Sequence, residues 1–233
     1  VMLALSAKSP FLAGEETGLA SNRAEVLAQL PRSGAPPAFR SYEEWEEFID
    51  RFVRLGISAD YTRFWWDVRP HPRFGTLEVR MPDQPTSLLV TAAFAALVQA
   101  LCATVLEQPP PPHDPAARGL YQQNRWGALR FGLQAELFHP DGEHVATGSE
   151  LAAELIKLVR PAAKQLGAAG FLGELDVKRS ESERQLEVRR GEGLKAVCAD
   201  LVERTCRLAA HMAPIKVAVL PLVNKDGQPE KAR

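Results

Sequence analysis

Cysteine is scarce in this chain of 233 residues: Cys102, Cys198 and Cys206 are the whole complement, and no two form a CxxC pair. An odd number without framework spacing excludes a disulfide scaffold and a cysteine zinc site, and it points to free thiols in a reducing compartment. An excess of one charge is also missing, with 28 Lys plus Arg against 29 Asp plus Glu. No global field therefore draws a polyanion or an anionic membrane, and neither nucleic acid nor a membrane is expected as a partner. The opening VMLALSAKSPF has no basic lead-in, and its apolar run is too short for a secretory signal. Together with the free thiols this makes the cytoplasm the expected location. No GxSxG, HExxH or phosphate-loop motif occurs, and no internal repeat.

What is present reads as one mixed domain. Residues 1–7 are apolar and are expected to form a buried strand. Ser21 is placed to cap a helix running to Leu30, and Ser41 with Glu44 has the spacing of a capping box. Tyr42, Trp45, Phe48, Ile49, Phe52 and Val53 then recur at helical intervals, and Gly56 is a natural stop. The uncharged run Gln84 to Leu106 is long enough to span a membrane, but Ser87, Thr91, Gln99, Thr104 and its many alanines favour a central helix from Thr86 to Glu107. Further helices are expected over 118–131, 149–166, 181–190 and 193–210, with a short strand over 134–139. The proline-rich run from Pro109 to Pro115 reads as a rigid loop, and Val217–Val223 as extended chain. The fold class is α+β, an antiparallel sheet with helices packed on one side. Residues 1–223 form the expected domain and 224–233 an unstructured tail. Because Val1 already lies in a core-like run, the domain is expected to be the C-terminal portion of a longer one.

The segment Trp65 to Met81 carries the functional argument. Thr76, Glu78 and Arg80 share one strand face, and Asp67 and Arg69 alternate with Trp66 and Val68. With Pro70 to Gly75 as the turn, Arg69 pairs with Thr76, Asp67 lies opposite Glu78, and Trp65 lies opposite Arg80. Two facing carboxylates repel unless arginines or a divalent cation neutralise them. Mg²⁺ takes one or two carboxylates plus phosphate oxygens, and an arginine beside it suits a phosphoryl group. A solvated sheet face laced by salt bridges fits the same alternation.

Other features are weaker. Thr17-Gly18-x-x-Ser21-x-Arg23 ahead of a helix suits an anion, or is simply a capped loop. Gly191-Glu192-Gly193 precedes a helix but matches no phosphate loop. His139 and His144 flank an Asp-Gly turn, but no further ligand has regular metal-site spacing. His71, His113 and His211 stand alone in the sequence.

Three blocks in order, LALSAKSPFLAGEETGLASNRAEVLAQLPRSGAPP, FWWDVRPHPRFGTLEVRMPDQP and NRWGALRFGLQAEL, resemble the C-terminal part of the glutamate–cysteine ligase type 2 family. These are carboxylate–amine ligases related to glutamine synthetase, and the likeness runs from Val1 to about Thr205. It implies a glutamine synthetase-like catalytic fold, incomplete at its N-terminus, in a homo-oligomer. It implies ATP and Mg²⁺, with glutamate activated as a γ-glutamyl phosphate and attacked by cysteine or another amine. By similarity Glu78 is a metal ligand and catalytic residue, and Arg80 steadies the phosphoryl group. Arg23, Ser9, Arg69, Asn124 and Arg130 match substrate- or ATP-binding positions. The family usually reads SANSPF where this chain has Ser6-Ala7-Lys8-Ser9-Pro10-Phe11, so Lys8 puts a cation in place of an amide. The family's upstream acidic strands, a source of further metal ligands, do not occur in these residues, so the 233 residues alone are expected to be inactive. A non-catalytic relative that keeps the fold for ligand binding or assembly is the alternative.

Overall fold

A computed structural model describes residues 1–109 and 116–209. Residues 110–115 of the loop expected from Pro109 to Pro115, with His113, the extended run Val217–Val223, His211 and the tail 224–233 lie outside the described residues.

Helix α1 (Met2–Ser6) stands where a strand was expected, and all five of its residues are buried. An apolar run without alternation fits either form. Here it packs among α5, α6 and the turn before β7, whose ranges follow, and a helix satisfies its own backbone there. Strands β1 (Phe11–Leu12) and β2 (Glu15–Glu16) form a tight antiparallel pair. Helix α2 (Asn22–Ala28) begins as expected, with the Ser21 hydroxyl accepting from the Ala24 N–H, but stops short of Leu30. Strand β3 (Ser33–Gly34) is followed by α3 (Tyr42–Arg54). Ser41 accepts from the Glu44 N–H at 3.2 Å, whereas the Glu44 carboxylate turns to the Arg40 N–H at 2.6 Å instead of closing the box. Gly56 ends the segment in the left-handed region, with φ +69°.

Strands β4 (Trp65–Trp66), β5 (Val68–His71) and β6 (Thr76–Val79) lead into α4 (Leu88–Glu107), capped by Ser87. Then come α5 (Ala117–Phe131), β7 (Glu136–Phe138), β8 (Val145–Thr147) and α6 (Gly148–Gln165). Helices α7 (Glu181–Glu192) and α8 (Leu194–Ala209) close the described chain. Both α6 and α7 start with complete capping boxes, Thr147 with Glu150 and Ser180 with Glu183.

The α+β class holds, but the single sheet does not. Among the described residues the strands form four separate two-stranded pairs, of which β3–β4 is parallel and the others antiparallel. Strands of two to four residues present too short a ladder to recruit further neighbours, so the helices make the core. Its largest cluster joins α4 to α6 through Phe94, Leu97, Ala100, Ile156 and Val159. Ala93, Ala96 and Ala100 keep the facing stripe of α4 thin enough for close approach. By length and composition α4 could cross a membrane; one face lies in this core, and Leu88, Val105 and Leu106 are exposed. A second cluster gathers Leu3, Ala128, Leu129, Leu137 and Leu151, and a third packs Trp45 and Ile49 of α3 on Phe64 and Trp66.

Candidate active site

The β5–β6 hairpin keeps its expected polar face but not its expected register. Val68 pairs with Val79, Arg69 with Glu78, Pro70 with Leu77 and His71 with Thr76. This is a shift of two residues, so every side chain stays on its predicted face while its partner changes. The cause is the turn. A single 3₁₀ turn over Pro72–Phe74, closed by Gly75 at φ +61°, replaces the longer turn expected from Pro70. Asp67 therefore does not oppose Glu78. An arginine does, which removes the repulsion between carboxylates.

Glu78 is gripped from both sides. Arg69 Nε donates to Oε2 at 2.7 Å and Arg80 Nη1 to Oε1 at 2.5 Å. Burial pushes the Glu78 carboxyl up, but the hydrogen bonds and positive charges of Arg69 and Arg80 together outweigh it and hold the group below its ordinary value. The two arginines differ in freedom. Arg69, with its side chain 7% exposed, also donates from Nη1 to the carbonyls of Tyr61, Thr62 and Phe64 at 3.3, 2.9 and 2.8 Å. Arg80 is 26% exposed and sits at the open end of the trio. The sum of charges is +1, which leaves the site receptive to an oxyanion.

Two buried carboxylates brace this hairpin. The Asp67 backbone carbonyl accepts from the Arg80 N–H at 2.7 Å, and its side chain accepts from Tyr121 Oη at 2.7 Å and Arg125 Nε at 3.0 Å. Burial, then the Asp67 charge, pushes the Tyr121 phenol well above its ordinary value, so it remains a donor. Beyond β6, Asp83 is 2% exposed and accepts from the Lys8 N–H, Ser9 Oγ and Ser21 Oγ at 3.0, 3.1 and 2.9 Å.

The structure brings Ser9 and Arg23 into this frame. Arg23 reaches Asp83 at 3.6 Å and donates to the backbone carbonyls of Arg80 at 2.8 Å and Met81 at 3.4 Å. Ser9 accepts from the Arg23 N–H at 3.1 Å. Both residues thus hold the strand that carries Glu78 and Arg80. Asn124 lies elsewhere: its amide pairs both ways with the Phe138 backbone, at 2.8 and 2.7 Å. Arg130 lies against the Gly18 turn, where a Cβ on Gly18 would come within 2.6 Å of its Nη1. Lys8 Nζ donates to Thr86 Oγ1 at 3.1 Å, and burial holds its amine below the ordinary value despite the nearby Glu181 and Asp83. Trp65 carries Arg32 over its ring, 5.9 Å from the centroid.

Asp83, Tyr121 and Arg125 escaped the reading of the sequence. Tyr121 and Arg125 are four apart on α5, a spacing that places them on one helix face, but nothing local connects them to Asp67. The arrangement suits phosphate oxygens at Arg80. It also fits Mg²⁺ through Glu78 as one protein ligand, since each of its oxygens gives one lone pair to an arginine and keeps another. Asp67 and Asp83 are already committed to their own donors.

Comparison with known proteins agrees in one direction. A family model described as glutamate–cysteine ligase family 2 matches residues 1–200. A Rubrobacter xylanophilus protein provisionally named glutamate–cysteine ligase 2-3 is 45% identical over 209 residues, covering 88% of this chain and 56% of its own. A Haloferax volcanii protein named glutamate–cysteine ligase is 35% identical over 202 residues, covering 86% of this chain and 54% of its own. The chain thus spans about half the length of the curated relatives it matches.

Proposed function

The chain belongs to glutamate–cysteine ligase family 2, and on that premise we propose that it forms the phosphate-facing part of an ATP-dependent ligase joining the γ-carboxylate of glutamate to cysteine or another amine. The observation that carries this reading is the Arg69–Glu78–Arg80 trio, a carboxylate flanked by one fixed and one accessible guanidinium. Arg80 would hold phosphate oxygens, and Glu78 would be one oxygen ligand of Mg²⁺. Bound Mg-ATP would supply the phosphoryl group that turns an unreactive carboxylate into an acyl phosphate. The work of this chain's own residues is positional. Arg69 fixes the Glu78 carboxylate while its own Nη1 is held by the Tyr61, Thr62 and Phe64 carbonyls. Arg23, Ser9 and Asp83 lock the chain after β6, and Asp67 locks β5. Such preorganised charge stabilises developing negative charge without reorganisation at the moment of reaction.

Glu78 is one ligand, and Mg²⁺ retained by a single carboxylate depends on waters and phosphates for the rest. The 233 residues by themselves are therefore expected not to turn over. The test is ADP release from ATP with glutamate and a panel of amines, in a chimaera that supplies the remaining length from the 45%-identical relative. That relative serves as the positive control. Glutamate-dependent release that falls in R80A supports the reading; a folded chimaera that releases nothing with any amine, while the relative does, overturns it.

A second reading has its own observation: both Glu78 oxygens already have partners, so the trio is complete as a plain structural ion pair. A non-catalytic relative would bind Mg-ATP no better than its E78Q/R80A variant.

A further inference from the structure

The turn between β7 and β8 gathers a set of donors that the ligase reading does not use. His139 Nδ1 lies 3.0 Å from Asp141 Oδ2, and His144 Nδ1 lies 2.8 Å from that same oxygen. The donor atoms of the three residues all fall within 4.8 Å of one another. The two imidazoles are stacked, their centroids 4.2 Å apart and their planes 20° apart. We propose that His139, Asp141 and His144 form a site for a divalent transition metal of the zinc class, separate from the Glu78 site.

Four observations carry this. First, ligand bonds near 2.0–2.1 Å place adjacent donors roughly 3 Å apart around an ion, and Asp141 Oδ2 already stands at that distance from each Nδ1; the stacked rings would turn apart for both lone pairs to reach one ion. Second, the Asp141 carboxylate is divided. Oδ1 accepts the Glu143 N–H at 2.9 Å, which fixes the group and turns Oδ2 toward both rings.

Third, both ring nitrogens of His139 have oriented neighbours. In the neutral Nε2–H tautomer the Asp141 backbone N–H donates to Nδ1 at 3.3 Å, and the Glu154 carboxylate of α6 stands 3.3 Å from Nε2. In that tautomer Nδ1 keeps a lone pair beside Asp141 Oδ2, 3.0 Å away, a contact that a shared cation would bridge. A carboxylate on the far nitrogen is also the arrangement that orients metal-binding histidines and raises their basicity.

Fourth, the scaffold is firm. His139 N–H donates to the His144 carbonyl at 2.9 Å, Gly142 N–H donates to the His139 carbonyl at 2.9 Å, and Asn124 pins Phe138 in both directions. Gly142 supplies the positive φ of +75° that the turn needs.

Two imidazoles and one carboxylate select Zn²⁺, Ni²⁺ or Cu²⁺ over Mg²⁺, whose preference is for oxygen alone. The His144 side chain is 55% exposed, so remaining coordination positions open to water. All four residues come from the β7–β8 turn and α6, none from the β5–β6 hairpin. A bound ion would tie the turn to α6 through Glu154.

The experiment is Zn²⁺ titration of the tag-free 233-residue chain by calorimetry, in a C102S/C198S/C206S background so that thiols do not compete. One ion per chain is expected, with binding lost in H139A/H144A and unaffected by millimolar Mg²⁺. E154Q keeps all three ligands and should weaken affinity about tenfold, the lower end of the usual effect of an orienting carboxylate. Long-range ¹H–¹⁵N spectra provide a check without mutation: two of the five histidines should shift at Nδ1 on adding Zn²⁺. No stoichiometric uptake, uptake that survives H139A/H144A, or histidine shifts that follow only pH would each overturn the site.

Discussion

Arg69 lies directly across the β5–β6 ladder from Glu78 and donates to it from Nε, while its Nη1 is held by three main-chain carbonyls from the segment before β4. One guanidinium therefore joins the candidate catalytic carboxylate to the aromatic cluster around Phe64. The consequence is a division of labour between two arginines on the same carboxylate.

Replacing Arg69 should damage the fold. R69M leaves the Thr62 and Phe64 carbonyls without a donor and half of Glu78 unpaired, at a cost of about 3 kcal/mol, the range for breaking one side of a buried pair. R69K should recover little, since an ammonium cannot reproduce the planar fork. Urea denaturation monitored by tryptophan fluorescence measures this; a loss under about 1 kcal/mol for both variants contradicts it.

Replacing Arg80 should do the reverse. Its partly exposed guanidinium makes one side-chain bond, to Glu78, so R80A should cost no more than about 1 kcal/mol of stability. In the chimaera it should nevertheless reduce Mg-ATP affinity at least about tenfold, as expected for loss of a charge-assisted phosphate contact. Equal effects of R69M and R80A on stability would refute the division.

Acid should expose Glu78. Its carboxyl is held below the ordinary value of 4.5, so its contribution to stability is fully present above that pH and is lost as pH falls through the lower folded-state value. E78Q should remove this part of the acid dependence: the gap in urea midpoint between wild type and variant should narrow from pH 6 to pH 3. A gap that is constant or widens toward low pH has the wrong sign for a depressed carboxyl.

Tyr121 should matter through Asp67 alone. Y121F takes one donor from a buried carboxylate that keeps Arg125, at a cost of about 1–3 kcal/mol. In a Y121F/D67N cycle the two costs should be clearly non-additive, as expected of partners in one network. Additive losses in urea denaturation would mean that the contact contributes nothing of its own.

Much of the local structure was legible because its causes are local. Ser21 and Ser41 announced their helices through caps, and the stripe from Trp45 to Phe52 announced α3. The alternation about Glu78 gave the polar face, and that face is present. The failures share a cause. Residues 1–7 carry no period that separates strand from helix. A period of two states which face a residue occupies but not which partner it meets, so the register came out two residues away, decided by the Pro72–Gly75 turn. His139 and His144 have no regular metal-site spacing in the sequence; it is the turn that brings both rings to one Asp141 oxygen.

By itself, the sequence determined the α+β class, most of the helices, the family resemblance and the polar strand face that Arg69, Glu78 and Arg80 share. Only the tertiary structure decided that Arg69 lies opposite Glu78, which arginine is fixed and which is more accessible, and which carboxylates are already spent. Asp83 meets Ser21 and Ser9 across 62 and 74 residues, and Asp67 meets Tyr121 and Arg125 across 54 and 58. The physical reason is that buried charge must be satisfied by whatever donors the fold brings to it, and those donors are chosen by packing, which leaves no periodic trace in the chain.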